Sequence, residues 1–282
     1  MMTTSRAPAS GDARIPALDD VRALAVLGVI ASHSGLFGLG WIGVDVFFGL
    51  SGFLITGILL DAKAANPTAR AFFVPFYMRR ALRILPLAWL TIFVVAAWRN
   101  QWHSVGWYLA YLVNWLPTSP APRDLGHFWS LAVEEQFYTI WPAVVFFCSP
   151  RMVWRAAVGL LVFDLIFRLG LSLWLWDAVT PQWRDLVTFA RADTLAVGAL
   201  LACRQREGGV AMPTRAAMPT ALLAGIGMVG LRLLEKRETM PLLIYNLKWP
   251  LLAVGVGAVL IVVLTQPRRA SCNGDGSSGL AR

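Results

Sequence analysis

The sequence predicts an all-α fold, a polytopic helical bundle in a membrane, and three observations predict it. The 282 residues are 57% hydrophobic and only 15% charged, with a mean hydropathy of +0.60, whereas an ordinary soluble domain is about 45–50% apolar and about 25% charged. Apolar stretches near the ~20 residues that cross a bilayer core recur along the chain, with no alternating strand pattern and no repeat. The net charge of +9 comes from 25 basic against 16 acidic side chains. The basic ones lie in clusters between apolar stretches, as in Arg79-Arg80 and Arg268-Arg269, the pattern of cytoplasmic loops. Soluble enzymes, disordered chains and disulfide scaffolds are excluded. Nucleic acid is not an expected partner, because the cations form no single stripe.

Residues 1–14 form a polar lead with Arg6 and Arg14. The apolar run that follows is too long for a cleavable signal and contains Arg22 and His33. Spans are expected near 17–37, 41–60, 82–98, 104–118, 128–148, 153–176, 187–203, 216–234 and 242–265, about nine transmembrane helices in all. Residues 1–265 are thus one membrane domain, and 266–282 a polar, Gly/Ser-rich tail with little capacity for structure. Lys63, Arg70, Arg79, Arg80 and Arg83 put the N-terminus and a 61–82 loop in the cytoplasm. Beyond residue 118 the basic residues Arg151, Arg155, Arg204, Arg206, Lys236 and Arg237 fall on both sides under strict alternation, so one short span is re-entrant or miscounted.

Ionisable groups inside spans cost several kcal/mol and are functional candidates by default. Arg22 and His33 stand eleven residues apart, about 20° of rotation and roughly 16 Å of rise, and so share one face of the first helix. The plain alternative is a snorkelling arginine and a histidine hydrogen-bonded to a neighbouring helix, with Asp19 also spaced for a local pair with Arg22. In the second helix Asp45, Gly49, Gly52 and Thr56 share a face of small and polar groups suited to close packing against the first helix, and Asp45 needs a partner in the bundle. The segment HFWSLAVEEQFYTIWP brings His127, Ser130, Glu134, Glu135 and Tyr138 into or beside a span, with Trp129 and Trp141 read as an interfacial belt. Asp164 and Arg168 are spaced to neutralise each other, and Arg191 and Asp193 open a short span as a pocket mouth or a cap. The three cysteines Cys148, Cys203 and Cys272 have no paired spacing, and no metal-ligand spacing, phosphate-cradling glycine loop or nucleophile elbow is present. No metal and no bound cofactor are expected.

Five ordered stretches carry a resemblance: IPALDDVRALAVLGVIASHSG, WIGVDVFFGLSGFLITGIL, YMRRALRILPLAWL, HFWSLAVEEQFYTIWP and RADTLAVGALLA. Together they resemble the membrane-bound acyltransferase 3 family, bacterial enzymes that O-acylate carbohydrates and other envelope or secondary-metabolite acceptors. The family's first-helix arginine and histidine fall on Arg22 and His33, its R-x-x-R pair on Arg80 and Arg83, and its W-S-L-x-V-E glutamate on Glu134, followed by Tyr138. Asp20 stands where the family usually has glycine, and a late family segment has no counterpart. The resemblance therefore implies a C-terminally truncated or frame-shifted member.

The resemblance implies transfer of an acyl group, by preference acetyl, from acyl-CoA to a hydroxyl of a carbohydrate or other acceptor at the bacterial inner membrane. An alcohol needs a base to lose its proton, and a histidine suits that role. The expected roles are His33 as general base, Arg22 on donor phosphate or acyl carbonyl, and Glu134 or Asp45 orienting the imidazole or the acceptor. Arg80 and Arg83 would meet the donor phosphates, with Tyr138, Arg191 and Asp193 lining the site. A covalent acyl-enzyme on His33 is the alternative route. An inactive remnant and a transporter or flippase are the competing readings.

Overall fold

The computed structural model describes residues 15–65, 68–116, 125–174, 181–208, 214–235 and 242–265, and every regular element among them is helical. The chain runs through α1 (Pro16–His33), α2 (Ile42–Ala65), α3 (Ala69–Arg99), α4 (Val105–Leu109) and α5 (Phe128–Phe147). It continues through α6 (Pro150–Trp174), α7 (Pro181–Leu186), α8 (Asp193–Glu207), α9 (Thr214–Glu235) and α10 (Leu242–Thr265). Arg6, Arg14, Lys236, Arg237 and the 266–282 tail lie outside the described residues.

The structure bears out the all-α membrane bundle without confirming nine spans. Among the described residues four helices are long and apolar enough to cross a membrane: Ile42–Ala65, Ala69–Arg99, Pro150–Trp174 and Tyr245–Thr265. α1 carries Asp19, Asp20 and Arg22 within 18 residues, and α5 carries Glu134, Glu135 and Gln136. The described part of the stretch 104–118, residues 104–116, is no single helix. It breaks into a 3-10 turn, the five-residue α4 and a second 3-10 turn at Val113–Trp115, with Tyr111 in the left-handed region at φ 53°. α8 has 15 residues and covers about 22 Å, less than a bilayer core.

Losing the fourth span eases the conflict in charge placement for Arg204 and Arg206, while Lys236 and Arg237 lie outside the described residues. Lys63 near the end of α2 donates to the carbonyls of Val145 and Cys148 at the end of α5, at 3.0 and 2.7 Å. Arg206 in the last turn of α8 grips Asp61 of α2 at 2.6 and 2.8 Å, and Arg204 lies over Trp154 of α6. The basic residues of these helix ends therefore share one end of the bundle. A further correction concerns α3, which starts at Ala69, so the stretch read as a 61–82 loop is mostly helix.

α2 is the centre of the packing. A Cβ on Gly52 would sit 2.0 Å from the Leu195 carbonyl oxygen, and one on Gly198 2.0 Å from the Gly49 carbonyl oxygen. Only hydrogen at these positions lets the α2 and α8 backbones meet. The small-residue seam expected against α1 thus faces α8. α1 uses a separate contact, where a Cβ on Gly43 would meet the Ala25 carbonyl at 2.5 Å. Trp141 is not in an interfacial belt: it is buried and donates to Thr56 Oγ1 at 2.8 Å. Large apolar side chains such as Leu24, Leu82, Leu90 and Leu222 point outward, as expected where lipid is the solvent. The chain is an integral membrane protein.

Candidate functional site

Two polar constellations form beside α2. In the first, Ser51 of α2 donates its hydroxyl to Glu134 of α5 at 2.5 Å. Tyr138, one turn on, places its hydroxyl within hydrogen-bonding reach of Glu134 and Ser51. The Arg80 guanidinium of α3 lies 3.2 Å from the centroid of the Tyr138 ring and 6.0 Å from that of Phe76, a cation–π arrangement. Its nearest charge is Glu135, at 3.9 Å. Arg22 of α1 is also close enough to act electrostatically on Glu134, as Arg80 is. Four helices thus bring Arg22, Ser51, Arg80, Glu134 and Tyr138 together. Arg80 stands eleven residues into α3, not at its start, and its Nε is buried without a hydrogen-bond partner.

The histidines sit at one end of this cluster. His33 is the exposed last residue of α1, its Nδ1 2.9 Å from the Val29 carbonyl. A carbonyl accepts only, so Nδ1 carries a proton, and in the neutral ring the lone pair is then on Nε2. His127, just before α5, lies near enough to His33 for their charges to repel; partial burial first, and His33 second, hold its pKa below the usual histidine value. The orienting partner of His33 is therefore Val29, while Glu134 is turned to Ser51. Arg83 is exposed on α3. Arg22 makes the local pair with Asp19 at 3.3 Å, both side chains partly exposed.

The second constellation is closed. Arg191 reaches Asp45 at 2.9 Å, and its guanidinium packs over Trp249 at 4.2 Å and Trp129 at 5.1 Å. Arg168 pairs with Asp164, as the spacing suggests, and also with Asp193 at 2.6 Å. The Asp193 amide donates to Asp164 at 3.2 Å, and the Asp193 carboxylate accepts from the Thr194 amide at 2.7 Å. All five charged side chains are buried. Asp45, Arg191 and Asp193, expected near donor or imidazole, are engaged in buried ion pairs, Asp45 with Arg191 and Asp193 with Arg168, that tie α2, α6 and α8 together.

Sequence reasoning missed Ser51 and the Gln136 network. Gln136 takes Trp115 Nε1 at 2.9 Å and gives to Asn114 Oδ1 at 2.9 Å and the Tyr111 carbonyl at 2.6 Å, so α5 holds the broken 102–115 segment. A hydroxyl in the apolar run of α2, one of two with Thr56, was the available signal for Ser51. For Gln136 there was none, because its partners are distant in the chain.

A helical membrane protein with a charge cluster left open among its helices is the class that fold and site define. The chain belongs to the acyltransferase 3 family, whose acyltransferase domain matches residues 15–273. It is 33% identical over 211 residues to the peptidoglycan O-acetyltransferase OatA of Listeria monocytogenes, covering 67% of this chain and 33% of that protein. YrhL of Bacillus subtilis, provisionally named a peptidoglycan O-acetyltransferase, is 37% identical over 172 residues, 52% of this chain and 27% of its own. A Staphylococcus aureus (strain COL) protein provisionally named an O-acetyltransferase is 33% identical over 214 residues, 67% and 34% of the two chains. The matches span about a third of these relatives' lengths. No solved structure matches the chain.

Proposed function

We propose that this chain transfers an acyl group, acetyl by preference, from acyl-CoA to a hydroxyl of an envelope carbohydrate, in the bacterial inner membrane with its N-terminus in the cytoplasm. The observation that carries this reading is the convergence of Arg22 and Arg80 on Glu134, with a proton-accepting histidine nitrogen at the end of the same group of helices. His33 Nε2 takes the acceptor's hydroxyl proton. The oxygen attacks the thioester carbonyl, the C–O bond forms, the C–S bond breaks, and the proton leaves with the CoA thiolate. Arg22 and Arg80 stabilise the negative charge on the carbonyl oxygen during attack, and Arg83 offers donor phosphate a planar fork. Glu134, fixed by Ser51 and Tyr138, positions the arginines. No bound cofactor or metal enters the scheme. The lipid bilayer, acyl-CoA and the acceptor are the partners, and nucleic acid is not one. Supporting this are the family and the peptidoglycan O-acetyltransferase name of the Listeria relative.

The test is transfer from radiolabelled acetyl-CoA in membranes holding this chain. His33→Ala is expected to lower label in the envelope fraction by about 10²–10⁴-fold, the usual loss when a general base is removed. Equal labelling by both proteins overturns the assignment. Substrate flux into vesicles without acyl donor would favour a transporter.

A further inference from the structure

We propose that Tyr111, Glu135 and the Nε edge of Arg80 form a subsite for one hydroxyl of the carbohydrate acceptor, other than the hydroxyl that is acylated. The proposal rests on the transferase reading above. Three atoms point to it. Tyr111 Oη, Glu135 Oε1 and Arg80 Nε are all buried, and none has a hydrogen-bond partner among the described residues. A buried polar atom left unpaired is destabilising, so native structures seldom keep one without a use. The three belong together. Arg80 Nη2 lies 3.9 Å from Glu135 Oε1, and Tyr111 stands close enough to Glu135 to feel its charge. Tyr111 shares an apolar cluster with Ile84 and Leu131, each one turn from Arg80 on α3 or from Glu135 on α5. The backbone is arranged for this side chain too. Tyr111 is left-handed at φ 53°, a conformation that a bulky residue keeps only where its surroundings hold it. Gln136, the residue after Glu135, holds it by donating to the Tyr111 carbonyl at 2.6 Å.

Hydrogen-bonding valence and place select the occupant. Tyrosine and arginine offer hydrogens here, and the carboxylate offers lone pairs. An alcohol brings one hydrogen for Glu135 and two lone pairs for Tyr111 and Arg80. A phosphate or carboxylate would meet Glu135, an ammonium would meet Arg80, and an alkyl chain would leave all three atoms unpaired. Each of the three residues is partly accessible, so an incoming group can reach them. The segment 102–115 follows the end of α3 that lies away from the basic helix ends of Lys63 and Arg206, and His33 closes α1 at that same end. With the N-terminus in the cytoplasm, that end faces the envelope. A carbohydrate acceptor approaches from there, and a cytoplasmic acyl donor does not.

The test is transfer from radiolabelled acetyl-CoA, in membranes holding the full chain, against graded concentrations of solubilised envelope carbohydrate. Tyr111→Phe is expected to raise the acceptor KM about threefold to tenfold, as for loss of one hydrogen bond, with kcat and the KM for acetyl-CoA unchanged. Tyr108→Phe is the control. The Tyr108 hydroxyl is also unpaired, but its side chain is sealed at 1% exposure, so this variant should keep the parent acceptor KM. A second readout needs no turnover. With 3-fluorotyrosine in place of Tyr111, the fluorine resonance should shift saturably as the same carbohydrate is added. An unchanged acceptor KM in Tyr111→Phe, an equal rise in Tyr108→Phe, or a resonance that carbohydrate does not move overturns the proposal and leaves water as the partner of these atoms. A saturable shift without label transfer would sink the transferase reading and leave the subsite standing. Transfer without the shift would do the reverse.

Discussion

The Asp45–Arg191 cluster and the Glu134 cluster both stand against α2, yet they treat charge in opposite ways. In the first, three carboxylates and two guanidinium groups are all buried, and every charge meets an opposite one at hydrogen-bond distance. In the second, the carboxylate of Glu134 meets a hydroxyl, Arg80 stays 3.9 Å from Glu135, and the Arg22 side chain is 41% exposed. Charges matched to each other hold helices together. Charges matched only loosely, Arg22 with exposed Asp19 and Arg80 with Glu135 at 3.9 Å, keep capacity for a ligand that brings its own charge or a developing oxyanion.

The widest break between the two clusters is expected from Arg191→Ala. It leaves Asp45 buried and unpaired, which costs about 3–5 kcal/mol, so folded protein in mild detergent should fall sharply on heating or size-exclusion. The Asp45→Ala, Arg191→Ala double variant should recover much of that loss. A single variant as stable as the parent would erase the distinction. Gly52→Ala pushes a methyl into the Leu195 carbonyl and should cost about 1–3 kcal/mol by overpacking, read as a lower melting temperature. Ser51→Ala sharpens the contrast from the other side. Removing a hydrogen bond to a charged group is worth about 1.5–3 kcal/mol, and here the loss should show mainly in kcat for acyl transfer, with the fold kept; a loss of fold alone would place Ser51 with the packing residues. Asp19→Asn should change stability by less than about 1 kcal/mol, because the Asp19–Arg22 pair is exposed.

What could be read beforehand was local. The apolar lengths of α2, α6 and α10 follow from composition, and the i, i+4 pair of Asp164 and Arg168 from helical spacing. Partners were not legible. Asp45 asked for a cation, but Arg191 lies 146 residues away, and no spacing rule reaches that far. The seam on α2 showed that some backbone approaches closely, and only the fold shows it is α8. Arg70, Arg79 and Arg80 have the charge of a loop, yet α3 begins at Ala69, and Arg80 lies among helices and stacks on Tyr138. The run around Trp107–Leu116 has the hydropathy of a span, yet Tyr111 turns left-handed and Gln136 fixes the break from another helix.

The glycine contact between α2 and α8 has a mechanical consequence. Backbones pressed together through Gly52 and Gly198 leave those helices no room to slide or roll, so they act as a fixed axle. α3, in contrast, touches α2 and α5 sparsely along its length and meets them through side chains such as Phe72, Phe76 and Arg80. Side-chain contacts can shift with a change of rotamer, whereas interlocked backbones cannot. Any breathing of the molecule that widens or narrows the space between α2 and α3 therefore belongs to α3, which swings like a door hung on a rigid post.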